Sequence, residues 1–168
     1  MSNVSFTEEY LEDSDLQRIC IDLAKQSTIK SLNLSDNCFT NIQPLIDVAE
    51  SLSSLKVLKL NDNEFNSSVS SQLPKLLSLL PNLQELEVRN CNLSEALVRP
   101  FCEALSTHKS LVMLDLSSNR LGDSICQELQ RTLELNRTLQ KIVMQDCEIS
   151  PRGMSFIGKW ISCMRVVC

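Results

Sequence analysis

The sequence predicts an α/β solenoid built from five stacked strand–helix units, and three observations predict it. One eleven-residue phrase recurs five times, at intervals of 26, 28, 28 and 28 residues. Within each phrase the apolar residues sit two apart, the period of a strand with one buried face. Behind the last four phrases they sit four apart, the period of one helix face.

The five phrases are IKSLNLSDNCF from Ile29, LKVLKLNDNEF from Leu55, LQELEVRNCNL from Leu83, LVMLDLSSNRL from Leu111 and LQKIVMQDCEI from Leu139. All fit the pattern L-x-x-L-x-L-x-x-[N/C]-x-L, with Ile, Val, Met or Phe standing in for Leu. The fourth residues (Leu32, Leu58, Leu86, Leu114, Ile142) and the sixth (Leu34, Leu60, Val88, Leu116, Met144) point to one core. The ninth residues are Asn37, Asn63, Cys91, Asn119 and Cys147. They fall where the chain leaves the strand, and an Asn there satisfies backbone groups that would otherwise be buried unpaired. A Cys does the same more weakly through its S–H, so Cys91 and Cys147 read as ladder positions and not as metal ligands.

Helical periodicity follows each of the later strands. Leu73, Phe101, Leu129 and Ile157 occupy the nineteenth position, and Leu77, Leu105, Leu133 and Ile161 the twenty-third. Val69, Leu97 and Ile125 add the fifteenth. Pro44, Pro74 and Pro100 are expected in first helical turns, and Ser150 before Pro151 reads as an N-cap and first turn. No unit can bury its apolar face alone. Stacked, they share one core, and stability becomes a sum of neighbour terms.

The units divide the chain into an N-terminal cap over 1–28 and five repeats over 29–168. The cap is expected as a helix over 7–26, with Leu16, Ile19, Cys20 and Leu23 on its inner side. After the last helix the sequence runs out through Met164-Arg-Val-Val-Cys168, an uncapped tail with no polar terminal unit. That end is expected to associate with a partner or a second copy, to continue into a longer protein, or to close on itself as a short strand.

With Asn and Cys alternating at the ninth position and units near 28 residues, residues 29–164 resemble the ribonuclease-inhibitor-like subfamily of leucine-rich repeats. The resemblance implies a right-handed solenoid, with a parallel β-sheet on the concave face and helices on the convex face. It does not choose among functions, because inhibitors, GTPase activators, NOD-like receptors and nuclear scaffolds share the architecture. The phrase LDLSSNRLGD at 114–123 also resembles the carboxyl-terminal repeats of tonsoku-like proteins, scaffolds of replication-fork repair. Their ankyrin repeats have no counterpart here, and the phrase is common across the subfamily.

Charge and composition exclude several function classes. Residues 1–84 hold six basic and eleven acidic side chains, whereas residues 85–168 hold ten of each. No basic run exists, so direct nucleic-acid binding is not expected. Nor is a membrane partner, because no apolar stretch approaches the ~18 residues that would suggest a span. MSNVSFTEEYLEDSD has no basic n-region or apolar h-region of a signal peptide. The expected compartment is therefore the cytoplasm or nucleus. There, the sequons at Asn3, Asn33, Asn66, Asn92 and Asn136 stay bare and the 8 cysteines stay reduced. No C-x-x-C occurs and His108 is the only histidine, so neither metal nor cofactor is expected. His108, in the loop THKS, reads as exposed loop polarity. Glu85 and Glu87 share a strand face, but an open sheet offers no water-excluded pocket to shift their pKa values. Gly122, Gly153 and Gly158 are too scattered for a phosphate loop. An enzyme is not expected.

The remaining surface is the outward face of the strands, carried by the third, fifth and seventh residues of each unit. These are Ser31, Asn33 and Ser35; Val57, Lys59 and Asn61; Glu85, Glu87 and Arg89; Met113, Asp115 and Ser117; Lys141, Val143 and Gln145. Lys59, Glu85, Glu87, Arg89, Met113, Asp115 and Lys141 form the candidate partner-binding set. An acidic centre beside an exposed methionine suits a protein partner with a basic segment. The expected function is a non-catalytic interaction module, a scaffold or adaptor, placed by the second resemblance in nuclear genome maintenance. The alternative is a regulator of another enzyme, such as a small-GTPase activator or an enzyme inhibitor.

Overall fold

The computed structural model describes residues 2–26, 28–161 and 165–167. Seven strands form one sheet in sequence order: β1 (Ser2–Ser5), β2 (Ile29–Asn33), β3 (Val57–Lys59), β4 (Glu85–Glu87), β5 (Met113–Asp115), β6 (Lys141–Val143) and β7 (Arg165–Val167). Every neighbouring pair is parallel. Between them run α1 (Asp13–Leu23), α2 (Gln43–Asp47), α3 (Val69–Leu79), α4 (Glu95–Thr107), α5 (Gly122–Leu135) and α6 (Pro151–Ile161). Paired strands lie roughly 4.8 Å apart, and packed helices about 8–10 Å. A stack of such units bends with its sheet inside, which makes the sheet face concave. Parallel strands joined by helical crossovers give the right-handed course.

Register repeats without slippage from β2 to β7, and shifts once between β1 and β2, at Ser2/Asn3. Leu32, Leu58, Leu86, Leu114 and Ile142 stand side by side across β2–β6, each no more than 1% exposed. Phe39 and Phe65, in the segments that follow β2 and β3, and Phe101 in α4 are equally buried. The first repeat is two residues shorter than the rest, and its helical segment breaks at Val48 into α2 and a 3₁₀ turn over Ala49–Leu52. After each strand the eighth residue turns left-handed: Asp36, Asp62, Asn90, Ser118 and Asp146 all have φ between 51° and 57°. Short polar side chains tolerate that turn best among residues other than glycine.

The Asn/Cys ladder runs beneath these turns. Asn63 donates through Nδ2 to the carbonyls of Leu34 (3.0 Å), Leu60 (2.9 Å) and Asn61 (3.2 Å), and accepts the Phe39 amide. Asn119 donates to Val88, Leu116 and Ser117 and accepts the amides of Cys91 and Leu93, both at 3.0 Å. Cys91 keeps part of the pattern, its Sγ donating to the carbonyls of Leu60 (3.0 Å) and Arg89 (3.2 Å). Burial pushes its thiol up to about 12, as it does for Cys20 and Cys102, which leaves these sulfurs poor nucleophiles.

Several expectations are corrected. Pro44 and Pro151 sit in first helical turns, but Pro74 and Pro100 lie inside α3 and α4. Those helices begin earlier than the prolines suggest, because Val69, Leu97 and Val98 already bury their side chains there. The helix expected over 7–26 is confined to Asp13–Leu23, and Ser2–Ser5 add a strand whose Val4 pairs in register with Leu32. The tail forms β7 on β6, while Met164 and Cys168 lie outside the described residues. Ser35 and Ser117, expected to face outward, are 5% and 2% exposed. In these two units the seventh side chain turns inward, and Ser117 Oγ accepts the Gln145 amide of the next unit, whereas Arg89 and Gln145 at the same position are exposed.

His108 is the largest correction. It is buried at 7% exposure, not an exposed loop residue. Its Nε2 lies 3.1 Å from the Leu80 carbonyl, and its Nδ1 accepts the amides of Ser110 (3.3 Å) and Leu111 (3.1 Å). Asn136, 28 residues on, makes the equivalent bonds to Leu105 and His108 behind it and to the amides of Thr138 and Leu139 ahead. The imidazole is thus held as the Nε2–H tautomer, with its second nitrogen facing two N–H donors. Burial lowers its pKa, against a smaller opposing effect of the Leu80 carbonyl. A neutral buried histidine stabilises the fold fully above its unfolded pKa of about 6.5. That contribution is lost as pH falls toward the lower folded value. In urea titrations from about pH 7.5 to about 5.5, the wild type should therefore lose more stability than His108→Asn. Parallel profiles would refute this account.

Candidate functional site

The open sheet face consists of rows set by strand register. One row reads Val57, Glu85, Met113, Lys141, and the next reads Lys59, Glu87, Asp115, Val143. Short strands carry two outward residues each, and the intervening inward leucine fixes which they are. All seven candidate residues are thereby brought onto β3–β6 or just beyond, with Arg89 following β4.

They do not act as independent charges. The Lys59 ammonium lies 2.7 Å from Glu87 and 3.7 Å from Glu85. Asn61 Nδ2 donates to the other Glu87 oxygen at 2.7 Å. Glu87 is the least exposed of the three charged groups, at 15% of its side chain against 32% for Glu85 and 34% for Lys59. The carboxylates titrate in opposite directions, against the expectation of unshifted groups. Partial burial and the hydrogen bond to Glu87 raise Glu85. Burial also pushes Glu87 upward, but hydrogen bonds from Lys59, Asn61 and Glu85 outweigh it and leave the group lowered. Two carboxylates within reach of each other disfavour each other's ionisation, so Glu87 gives up its proton before Glu85 does. Lys59 is raised chiefly by its bond to Glu87.

Arg89 turns away from this group toward Asp62, at 3.7 Å. Asp62 also accepts from Asn90 at 2.9 Å, and Asn61 Oδ1 accepts the Arg89 amide at 2.9 Å. Asp115 accepts the amide of Ser117 at 2.9 Å. Met113 and Asp115 are half-buried, and Lys141 is exposed. One ammonium therefore serves two of three clustered carboxylates. Asn61 and Asp62 were absent from the candidate set. The 28-residue spacing of 61 to 89 and 62 to 90 was the signal that pairs them. Among the described residues, no three His, Cys, Asp or Glu side chains gather as a metal site. No described helix is long and apolar enough to cross a membrane.

A leucine-rich-repeat family model matches residues 25–42, 107–129 and 135–158, and a second covers 82–104. The chain belongs to the leucine-rich-repeat family. Within it, this leucine-rich-repeat protein falls in the ribonuclease-inhibitor-like subfamily. It is 31% identical to the ribonuclease inhibitor of Sus scrofa over 153 residues, 88% of this chain and 34% of that protein. It is 34% identical to the Mus musculus ribonuclease inhibitor over 116 residues, 68% of this chain and 25% of that protein. It is also 30% identical to the NACHT, LRR and PYD domains-containing protein 14 of Mus musculus, over 94% of this chain and 17% of that one. The chain thus spans about a third or less of the length of these relatives.

Proposed function

We propose that this leucine-rich-repeat protein is a non-catalytic module that holds a protein partner on its concave sheet face. The observation that supports it most is the row pair on β3–β6, where Lys59 is shared by Glu85 and Glu87 beside Asp115 and the half-buried Met113. Such a surface has an apolar anchor inside a charged ring, the composition in which interface energy concentrates. Its three carboxylates exceed its one bound cation, so it suits a partner segment rich in lysine or arginine. The setting proposed for the module is a nuclear scaffold, on the strength of the LDLSSNRLGD phrase. A second reading follows from the similarity to ribonuclease inhibitors: the same face would occupy an enzyme and block it.

The test is affinity capture from cell extract by the native chain and by a Glu85→Lys, Glu87→Lys, Asp115→Lys variant, with partners identified by mass spectrometry. Circular dichroism first establishes that the variant is folded. Basic proteins captured by the native chain should be lost with the variant, with at least tenfold weaker binding for the purified partner. Equal capture by both would move the site off this face. An activity assay on a captured enzyme, with and without the chain, separates inhibitor from scaffold.

A further inference from the structure

The end of the solenoid at β1 carries a second surface, remote from the rows on β3–β6. A groove of about 300 Å³ opens there between β1 and α1. Its floor is Val4, Phe6, Leu11 and Ile19, which are only half-buried. Their counterparts one unit inward, Leu32 and Leu34, are 0% exposed, because a preceding strand covers them. The rim is Glu9, Asp15, Asp22 and Arg18, three carboxylates to one guanidinium, and Asp22 is paired with Lys25 at 2.8 Å. The edge beside the groove is ready to pair. Phe6 gives its amide to the Asn33 carbonyl on the β2 side. By alternation along a parallel strand, Ser5 turns its N–H and C=O outward, where no described strand meets β1.

We infer that this groove is a docking site for an extended segment of a partner protein. The segment adds to β1 as a further strand, with apolar side chains in the groove and lysine or arginine at its ends. Main-chain bonds to the outward N–H and C=O of Ser5 hold the segment, and the alternate side chains select it. The excess of rim carboxylates sets the sign of its flanks. This inference is independent of the concave-face reading, since it uses none of the same residues.

The probe is a fluorescent peptide, lysine–valine–serine–valine–serine–valine–lysine, compared with a form bearing glutamate at both ends. Anisotropy should show the lysine form binding at least tenfold more tightly. Hydrogen exchange should slow at the Ser5 amide and remain unchanged along β3–β6. Ser5→Pro removes an outward donor without touching the β2 side, and should weaken binding at least tenfold. Glu9→Lys with Asp22→Lys, both exposed positions, should erase the preference for lysine. Equal affinity for the two peptides would overturn the inference, as would protection confined to β3–β6. Sedimentation showing that a second copy of the chain already covers β1 would overturn it too.

Discussion

Asn119→Leu is expected to cost about 3–5 kcal/mol, the largest loss from any single polar position in the ladder. The side chain is 2% exposed and links two units through five hydrogen bonds. Leucine is close in volume, so it leaves little cavity. What it leaves are buried amides at Cys91 and Leu93 and buried carbonyls with one partner fewer. A buried group without a partner costs roughly 1–3 kcal/mol, more than the bond itself contributes. Cys91→Ala should be milder, near 1 kcal/mol, because the thiol is a weak donor to two carbonyls. Urea midpoints of the two variants measure the difference. Equal losses would mean that the ladder stabilises by filling space and not by pairing the backbone.

Phe101→Ala should remove a similar amount, about 3–5 kcal/mol, through the cavity it leaves. Phe101 is 1% exposed in α4, which packs against α3 and α5. Phe156 on α6 is half-buried, and among the described helices α6 packs mainly against α5. Phe156→Ala should cost under half as much. In a stack of units, a defect in the middle also cuts two nearest-neighbour terms, whereas one near an end cuts one. Thermal unfolding should therefore broaden or split for Phe101→Ala and stay a single transition for Phe156→Ala. A lone, uniformly shifted transition in both would mean that the units unfold as one block.

Much of the fold was legible in the sequence because each unit restates it. Leu32, Leu58, Leu86, Leu114 and Ile142 announced both the strand and its inward face, and the structure aligns all five across the sheet. What the sequence hid was lateral. His108 read as a loop residue because its partners, Leu80 behind and Ser110 and Leu111 ahead, are invisible to local pattern. Its alignment with Asn136 held the clue. The opposed titration of Glu85 and Glu87 was hidden for the same reason, since it depends on Lys59 one strand away. Val4 and Phe6 form too short an alternation to reveal β1 without a strand beside them.

The 28-residue register from Leu55 onward also makes the length of this solenoid an adjustable quantity. Each joint repeats the same fittings: the ninth-position side chain reaches back to the carbonyl of the sixth residue one unit earlier, as Cys91 does to Leu60 and Asn119 to Val88. A chain from which residues 83–110 were excised would bring Asn119 over the Leu60 carbonyl and Met113 beside Val57, a joint of the kind that already exists. Whole units are therefore the step by which such a chain can grow or shrink without rebuilding its core. Its concave face then changes by two or three outward residues at a time, a coarse dial on the reach of the surface, while the ends keep their own character.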